Sequence, residues 1–127
     1  LLLLFLVVPP LHAADPPAVV ISEGRGFVQQ DGPGLYRAIC QGCHMEQGQG
    51  AQGAGAYPAL AGNPRLASRV YVLDTLLNGR KSMPPVGRML SDDQVAAVTN
   101  HVRSSLGNGY LDAVTAADIK ALRPSNR

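Results

Sequence analysis

The chain has 127 residues, 2 cysteines and a formal charge of +2. Its length corresponds to one domain. So small a charge, with no basic stripe, excludes a nucleic-acid binder. Both cysteines fall in one short motif, so none is left for a structural disulfide to staple a small core.

Leu1 to Val8 is wholly apolar and leads into Pro9-Pro10-Leu11-His12-Ala13-Ala14-Asp15. This pattern reads as the core and small-residue cleavage site of a secretory signal peptide over 1–14, cut after Ala13 or Ala14. The chain starts without Met or a basic segment, so the expectation is a signal truncated at its N-terminus. A membrane anchor is the competing reading, but the run falls short of the roughly 20 apolar residues a bilayer span needs. Residues 15–31 are rich in Pro and Gly and read as an extended lead-in, with a short strand at Ala18-Val19-Val20-Ile21.

A helix is predicted from Gly32 to Cys40, with Pro33 at the first-turn position that tolerates it. It runs into Cys40-Gln41-Gly42-Cys43-His44. C-x-x-C-H is the attachment signature of a c-type haem. Two thiols three positions apart add to the two vinyl groups of one haem, and the next histidine lies beneath the iron as its proximal ligand. The blander readings fit less well. A redox dithiol would need a preceding strand in a βαβ unit, a zinc site would need a second ligand pair, and a disulfide would close a very small ring. One covalent haem c is therefore the expected cofactor. It serves as staple and core for a small domain, and export and haem attachment support each other.

From Glu46 to Asn63 the chain is Gly-, Gln- and Ala-rich, a long loop of the kind that wraps something. A second helix is predicted over Pro64–Asn78, with Asn63 as N-cap, Gly79 as stop and Leu66, Val70, Leu73 and Leu77 on one face. Arg80–Leu90 is a proline-containing loop. Ser91-Asp92-Asp93-Gln94 is a capping box opening a helix to Leu106, with Val95, Val98, Val102 and Leu106 on one face. Gly107 and Gly109 end it. Thr115 caps a short terminal helix over Ala116–Leu122. The fold class is all-α: three main helices plus a short C-terminal helix wrapped around one haem, with long loops. The expected organisation is a haem-binding domain over 32–106 and an extension over 107–127.

A six-coordinate electron-transfer haem needs a ligand opposite His44. Met45 adjoins the proximal histidine and cannot reach the far face, and His12 would leave with the signal. Met89 precedes a helix cap, where an apolar residue more often staples, and His101 lies inside a helix. Met83, in Lys81-Ser82-Met83-Pro84-Pro85, sits on a loop that can swing a thioether onto iron while the prolines fix its path. His44 and Met83 are thus the expected axial pair, an arrangement that raises the reduction potential.

The order Gly32-x-x-x-Tyr36-x-x-x-Cys40-x-x-Cys43-His44, then Tyr57-Pro58-Ala59-Leu60, then Met83-Pro84, resembles class I cytochrome c over Gly32 to Leu106. The resemblance implies that the first and last helices cross closely at Gly32 with Tyr36 in the crossing. It also implies that the Pro58 carbonyl accepts the imidazole N–H of His44, and that Tyr57 and Leu60 pack on the haem. His101 departs from the family by standing where an aromatic is usual, and packing is the expected role. The tail, from Val102-Arg103-Ser104-Ser105 through Asp118-Ile119 to Leu122-Arg123, resembles haem c domains of membrane-associated alcohol and gluconate dehydrogenases.

The function this implies is a one-haem periplasmic electron carrier. It would accept electrons from a periplasmic dehydrogenase and pass them to another cytochrome or a terminal oxidase of a respiratory chain, with no catalytic residue and no stable membrane span. Arg80, Lys81 and Arg88 around Met83 would steer an acidic partner. The alternative is a haem enzyme or sensor, peroxidase-like, with a labile sixth ligand.

Overall fold

The computed structural model describes residues 22–23, 26–53 and 55–124. The expected signal peptide, His12 and the Ala18–Ile21 patch lie outside the described residues. The lead-in contributes a minimal antiparallel pair, β1 (Ser22–Glu23) and β2 (Gly26–Phe27).

Asp31 opens the first helical run by accepting the Gly34 N–H at 2.7 Å, ahead of Pro33. The run is longer than predicted. It comprises α1 (Gly32–Leu35), a π segment (Tyr36–Cys40) and α2 (Gln41–His44), and so carries the whole C-x-x-C-H motif. Gln41 N–H reaches back to Tyr36 O, an i to i+5 bond of the kind found where a functional side chain is re-aimed. A second two-residue pair, β3 (Ala51–Gln52) with β4 (Ala56–Tyr57), folds the loop after the motif.

The second predicted helix is broken. Pro64–Ala67 is a 3-10 turn, Ser68 turns extended (φ −83°, ψ 105°), and α3 covers only Arg69–Asn78. Ser68 makes the new start by accepting the Tyr71 N–H. The break turns Val70 outward, 59% exposed, so its assignment to the apolar face is corrected; Leu66, Leu73 and Leu77 are buried. A 3-10 turn (Val86–Met89) follows the Met83 loop.

The capping box at Ser91 forms in both directions with Gln94. It opens α4 (Asp92–Ser104), whose Val95, Val98 and Val102 are buried. The helix stops short of the predicted Leu106, which adopts a left-handed φ of 58° and packs beside the core. Here Asn108 accounts for the ending: its Nδ2 donates to Val102 O at 2.8 Å and to Leu60 O at 2.9 Å. Thr115 and Asp118 form a second capping box at α5 (Ala116–Leu122), which buries Ile119.

The crossing of α1 with α4 is backbone-tight. A Cβ added at Gly32 would lie 2.6 Å from Ala97 O. From α4, Gln94 donates to Phe27 O and Gln29 O of the lead-in, and Asn100 pairs with both the N–H and C=O of Val114 in the tail. The first helix, the lead-in and the tail are thereby all tied to α4. Among the described residues no helix is long and apolar enough to cross a membrane.

Candidate metal centre

The end of the π segment and the α2 turn that follows it hold three of the predicted site residues. Cys40 is buried, Cys43 is exposed, and His44 is only 7% exposed. His44 Nδ1 lies 2.8 Å from Pro58 O. A carbonyl can only accept, so Nδ1 carries the proton and donates, leaving the Nε2 lone pair free to bind a metal. Met45 ends the turn with φ 69°, and its carbonyl accepts the Tyr36 hydroxyl at 2.7 Å.

The Pro58 carbonyl is held in place by glycine. At Gly50 (φ 68°) a Cβ would sit 2.7 Å from Ala59 N and 2.8 Å from the carbonyl carbon of Pro58, so only a bare backbone fits beneath Pro58 and Ala59. The same loop is fastened by Gly50 N–H to His44 O and by Leu60 N–H to Gly48 O. Leu60 packs partly against the core, whereas Tyr57 is 45% exposed.

Met83 is half-buried against the core at the end of a tight turn. Arg80 and Met83 exchange both backbone hydrogen bonds (2.9 and 3.0 Å), with Lys81 left-handed at φ 53°. Pro84 and Pro85 follow at once. Met89 is 51% exposed on the 3-10 turn, and His101 stays in α4 beside Tyr36, so neither is presented as Met83 is.

Burial pushes the free Cys40 thiol up to about 12, and Cys43 adds to the rise. A dithiol oxidoreductase needs the opposite, a depressed thiolate. The donor set instead fits a covalent haem c: two thiols on one helical turn, a tautomer-fixed imidazole beside them, and a thioether on a braced loop. When bound, the haem iron supplies a one-electron redox couple.

Two arginines of the tail motif carry structural roles that the sequence reading does not assign. Arg103, fully buried, donates to Leu66 O (2.8 Å), Ala67 O (2.9 Å) and the carboxylate and carbonyl of Asp112. It satisfies the carbonyls freed where the second helix breaks. Its signal was a polar residue one place after Val102 on the buried stripe of α4. Arg123 reaches Gly87 O, Leu90 O and Asp92, and nothing in the local pattern announced it.

A family model described as cytochrome c oxidase, cbb3-type, subunit III matches residues 28–102. The chain is 35% identical over 111 residues to the cytochrome c subunit of gluconate 2-dehydrogenase from Pantoea cypripedii, covering 78% of this chain and 25% of that protein. It is 32% identical over 126 residues to cytochrome c-552 of Thermus thermophilus, covering 84% of this chain and 83% of that one. It is also 33% identical over 112 residues to the fructose dehydrogenase cytochrome subunit of Gluconobacter japonicus, covering 76% and 23%. The chain thus spans about a quarter of each of these dehydrogenase subunits and most of the cytochrome c-552.

Proposed function

Because the chain belongs to the cytochrome c family and is an electron carrier with one covalent haem c, we propose that it works in the periplasm, taking electrons from a dehydrogenase. In this reading Cys40 and Cys43 hold the haem covalently, and His44 Nε2 and Met83 Sδ are the axial ligands. Pro58 orients His44 through its carbonyl, and Tyr57 and Leu60 pack on the cofactor. Residues 32–106 form the haem-binding unit and 107–127 an extension of it, whose Val114 and Ile119 are buried.

The observation that carries the proposal is His44: buried, its Nδ1–H paired at 2.8 Å with Pro58 O, and following both thiols on one turn. An accepting carbonyl partner raises the basicity of the ligand nitrogen and fixes the ring, as metal-binding imidazoles require. The braced Met83 turn complements it. A soft thioether opposite the imidazole favours the ferrous state, so the carrier accepts electrons from moderately reducing partners.

The dehydrogenase as donor is supported by the relatives named as cytochrome subunits of gluconate and fructose dehydrogenases. The acceptor is another cytochrome or a terminal oxidase, in keeping with the matched family model, which is named for an oxidase subunit. Periplasmic placement is supported by the apolar start of the chain and by haem attachment, which follows export.

The test is expression with the haem c attachment machinery and purification of the holoprotein. One thioether-linked haem per chain and a far-red thioether-to-iron charge-transfer band in the ferric state are expected. Met83→Ala should abolish the band and lower the reduction potential, whereas Met89→Ala should leave both unchanged. A ferric protein without the band, whose spectrum ignores Met83→Ala, would instead be the open-site enzyme or sensor.

A further inference from the structure

The tail returns to the methionine loop. Val114 is locked to Asn100 by two hydrogen bonds of 2.8 and 2.9 Å, and Ile119 of α5 is fully buried, so the end of α5 is placed firmly. From that end Arg123 Nη1 donates to Gly87 O at 3.0 Å and Nη2 to Leu90 O at 2.6 Å, while its Nε pairs with Asp92. Gly87 lies in the 3-10 turn that ends the Met83 loop, and Leu90 is the residue that caps that turn.

The other side of that turn rests on α3. A Cβ at Gly87 would lie 2.9 Å from Leu76 O, and Arg88 Nε donates to Leu77 O. Between Met83 and Gly87 stand only Pro84, Pro85 and Val86. Two prolines with fixed φ leave little slack, so a shift of Gly87 is passed to Met83 rather than absorbed.

We propose that the C-terminal extension is a latch on the sixth-ligand loop, with Arg123 the positioning residue that keeps Met83 within reach of the iron. The idea rests on Met83 being the axial ligand. A charged guanidinium on two carbonyls makes stronger bonds than a neutral donor, and Asp92, at the first position of α4, holds that guanidinium in place. Losing the latch lets the loop open and an external ligand compete for the iron, although no residue touching the haem has changed.

The experiment compares ferric holoprotein with its Arg123→Ala, Arg123→Lys and Asp92→Asn variants. Cyanide affinity and the charge-transfer band are followed against temperature, with Met83→Ala as the open-site limit. The latch predicts that Arg123→Ala binds cyanide about tenfold more tightly, loses the band at a temperature below global unfolding, and is partly rescued by Arg123→Lys. Should Arg123→Ala be too unstable to purify, Asp92→Asn is expected to show the same change at smaller size. Arg123 variants that melt earlier but keep wild-type cyanide affinity and band would reduce the residue to tail docking and overturn the latch. A wild-type protein that itself lacks the band overturns the Met83 assignment, which separates the two failures.

Discussion

His101 presents its ring edge-on to Tyr36, with centroids 5.6 Å apart and planes at 64°. The imidazole therefore does the packing that an aromatic would do at the helix crossing. Burial holds its pKa below the ordinary 6.5, Arg37 lowers it further, and Asp31 opposes both. The unfolded chain then binds a proton more readily than the native one. The contribution of His101 is complete above pH 6.5 and is lost as the pH drops from there to the folded value. His101→Phe should keep the edge contact and flatten that slope. Denaturation curves at pH 7 and pH 5 check it, and an unchanged slope in the variant would assign the pH dependence elsewhere.

Directly beside that ring, Gly32 gives the crossing its closeness. A Cβ there would be 2.5 Å from His101 Cβ and 2.6 Å from Ala97 O, one of them backbone that cannot swing aside. Gly32→Ala should cost about 3 kcal/mol or more, the upper range for overpacking. Haem stoichiometry and the charge-transfer band should survive in whatever fraction stays folded, because the site lies at the other end of the run. Urea denaturation of the holoprotein measures the loss.

What was legible in the sequence was local. The capping boxes at Ser91 and Thr115 and the apolar stripe of α4 each lie within a few turns of chain, so residue spacing alone located them. The break at Ser68 was not legible, since its freed carbonyls are satisfied by Arg103, 37 and 36 residues further on. Val70 was misplaced for the same reason: a helix counted from Asn63 runs out of phase after the break. At the site, the motif placed Cys40, Cys43 and His44 by spacing, but the role of Pro58 came from family resemblance. Gly50, which makes room for that carbonyl, showed no signal beyond being one glycine in a glycine-rich loop.

Gly50 offers a way to disturb His44 without touching it. Alanine there would press on Ala59 N and the Pro58 carbonyl carbon and would also carry a left-handed φ of 68°. The carbonyl must move, weakening a hydrogen bond worth about 1 kcal/mol. Gly50→Ala is expected to keep both thioether links but raise the reduction potential, because a less basic imidazole stabilises the ferric iron less. Redox titration decides it, with the resonance Raman iron–histidine stretch of the ferrous form, made five-coordinate by adding Met83→Ala, as a second readout.

Arg103 and Asp112 form an ion pair whose halves differ in importance. The arginine is wholly buried, whereas the Asp112 side chain is 61% exposed. Removing the guanidinium strands the carbonyls of Leu66, Ala67 and Asp112, and Arg103→Ala should cost about 3 kcal/mol or more. Asp112→Asn should have only a small effect, because solvent replaces the lost charge. The hydrogen bond from Arg103 holds the Asp112 carboxyl below its ordinary 3.8. Its contribution is therefore present above pH 3.8 and lost as the pH falls further, a change that Asp112→Asn should remove. Thermal melts across pH 3 to 7 test both statements.

Arg80, Lys81 and Arg88 are exposed around the methionine turn, and their surroundings make them unequal. The Arg80 guanidinium lies 5.2 Å above the Tyr71 ring, and Arg88 Nε is engaged by Leu77 O. Lys81 stands at the left-handed apex of the turn, so its charge is the one to reverse with least damage to the fold. If the cluster steers an acidic partner, the second-order reduction rate should fall several-fold between about 10 and 200 mM salt, as the Debye length shrinks from about 30 to below 10 Å. Lys81→Glu should lower the low-salt rate and flatten the salt response while leaving the reduction potential unchanged. Stopped-flow reduction by a purified dehydrogenase gives the slope. A wild-type rate indifferent to salt would make these three cations ordinary solvated surface.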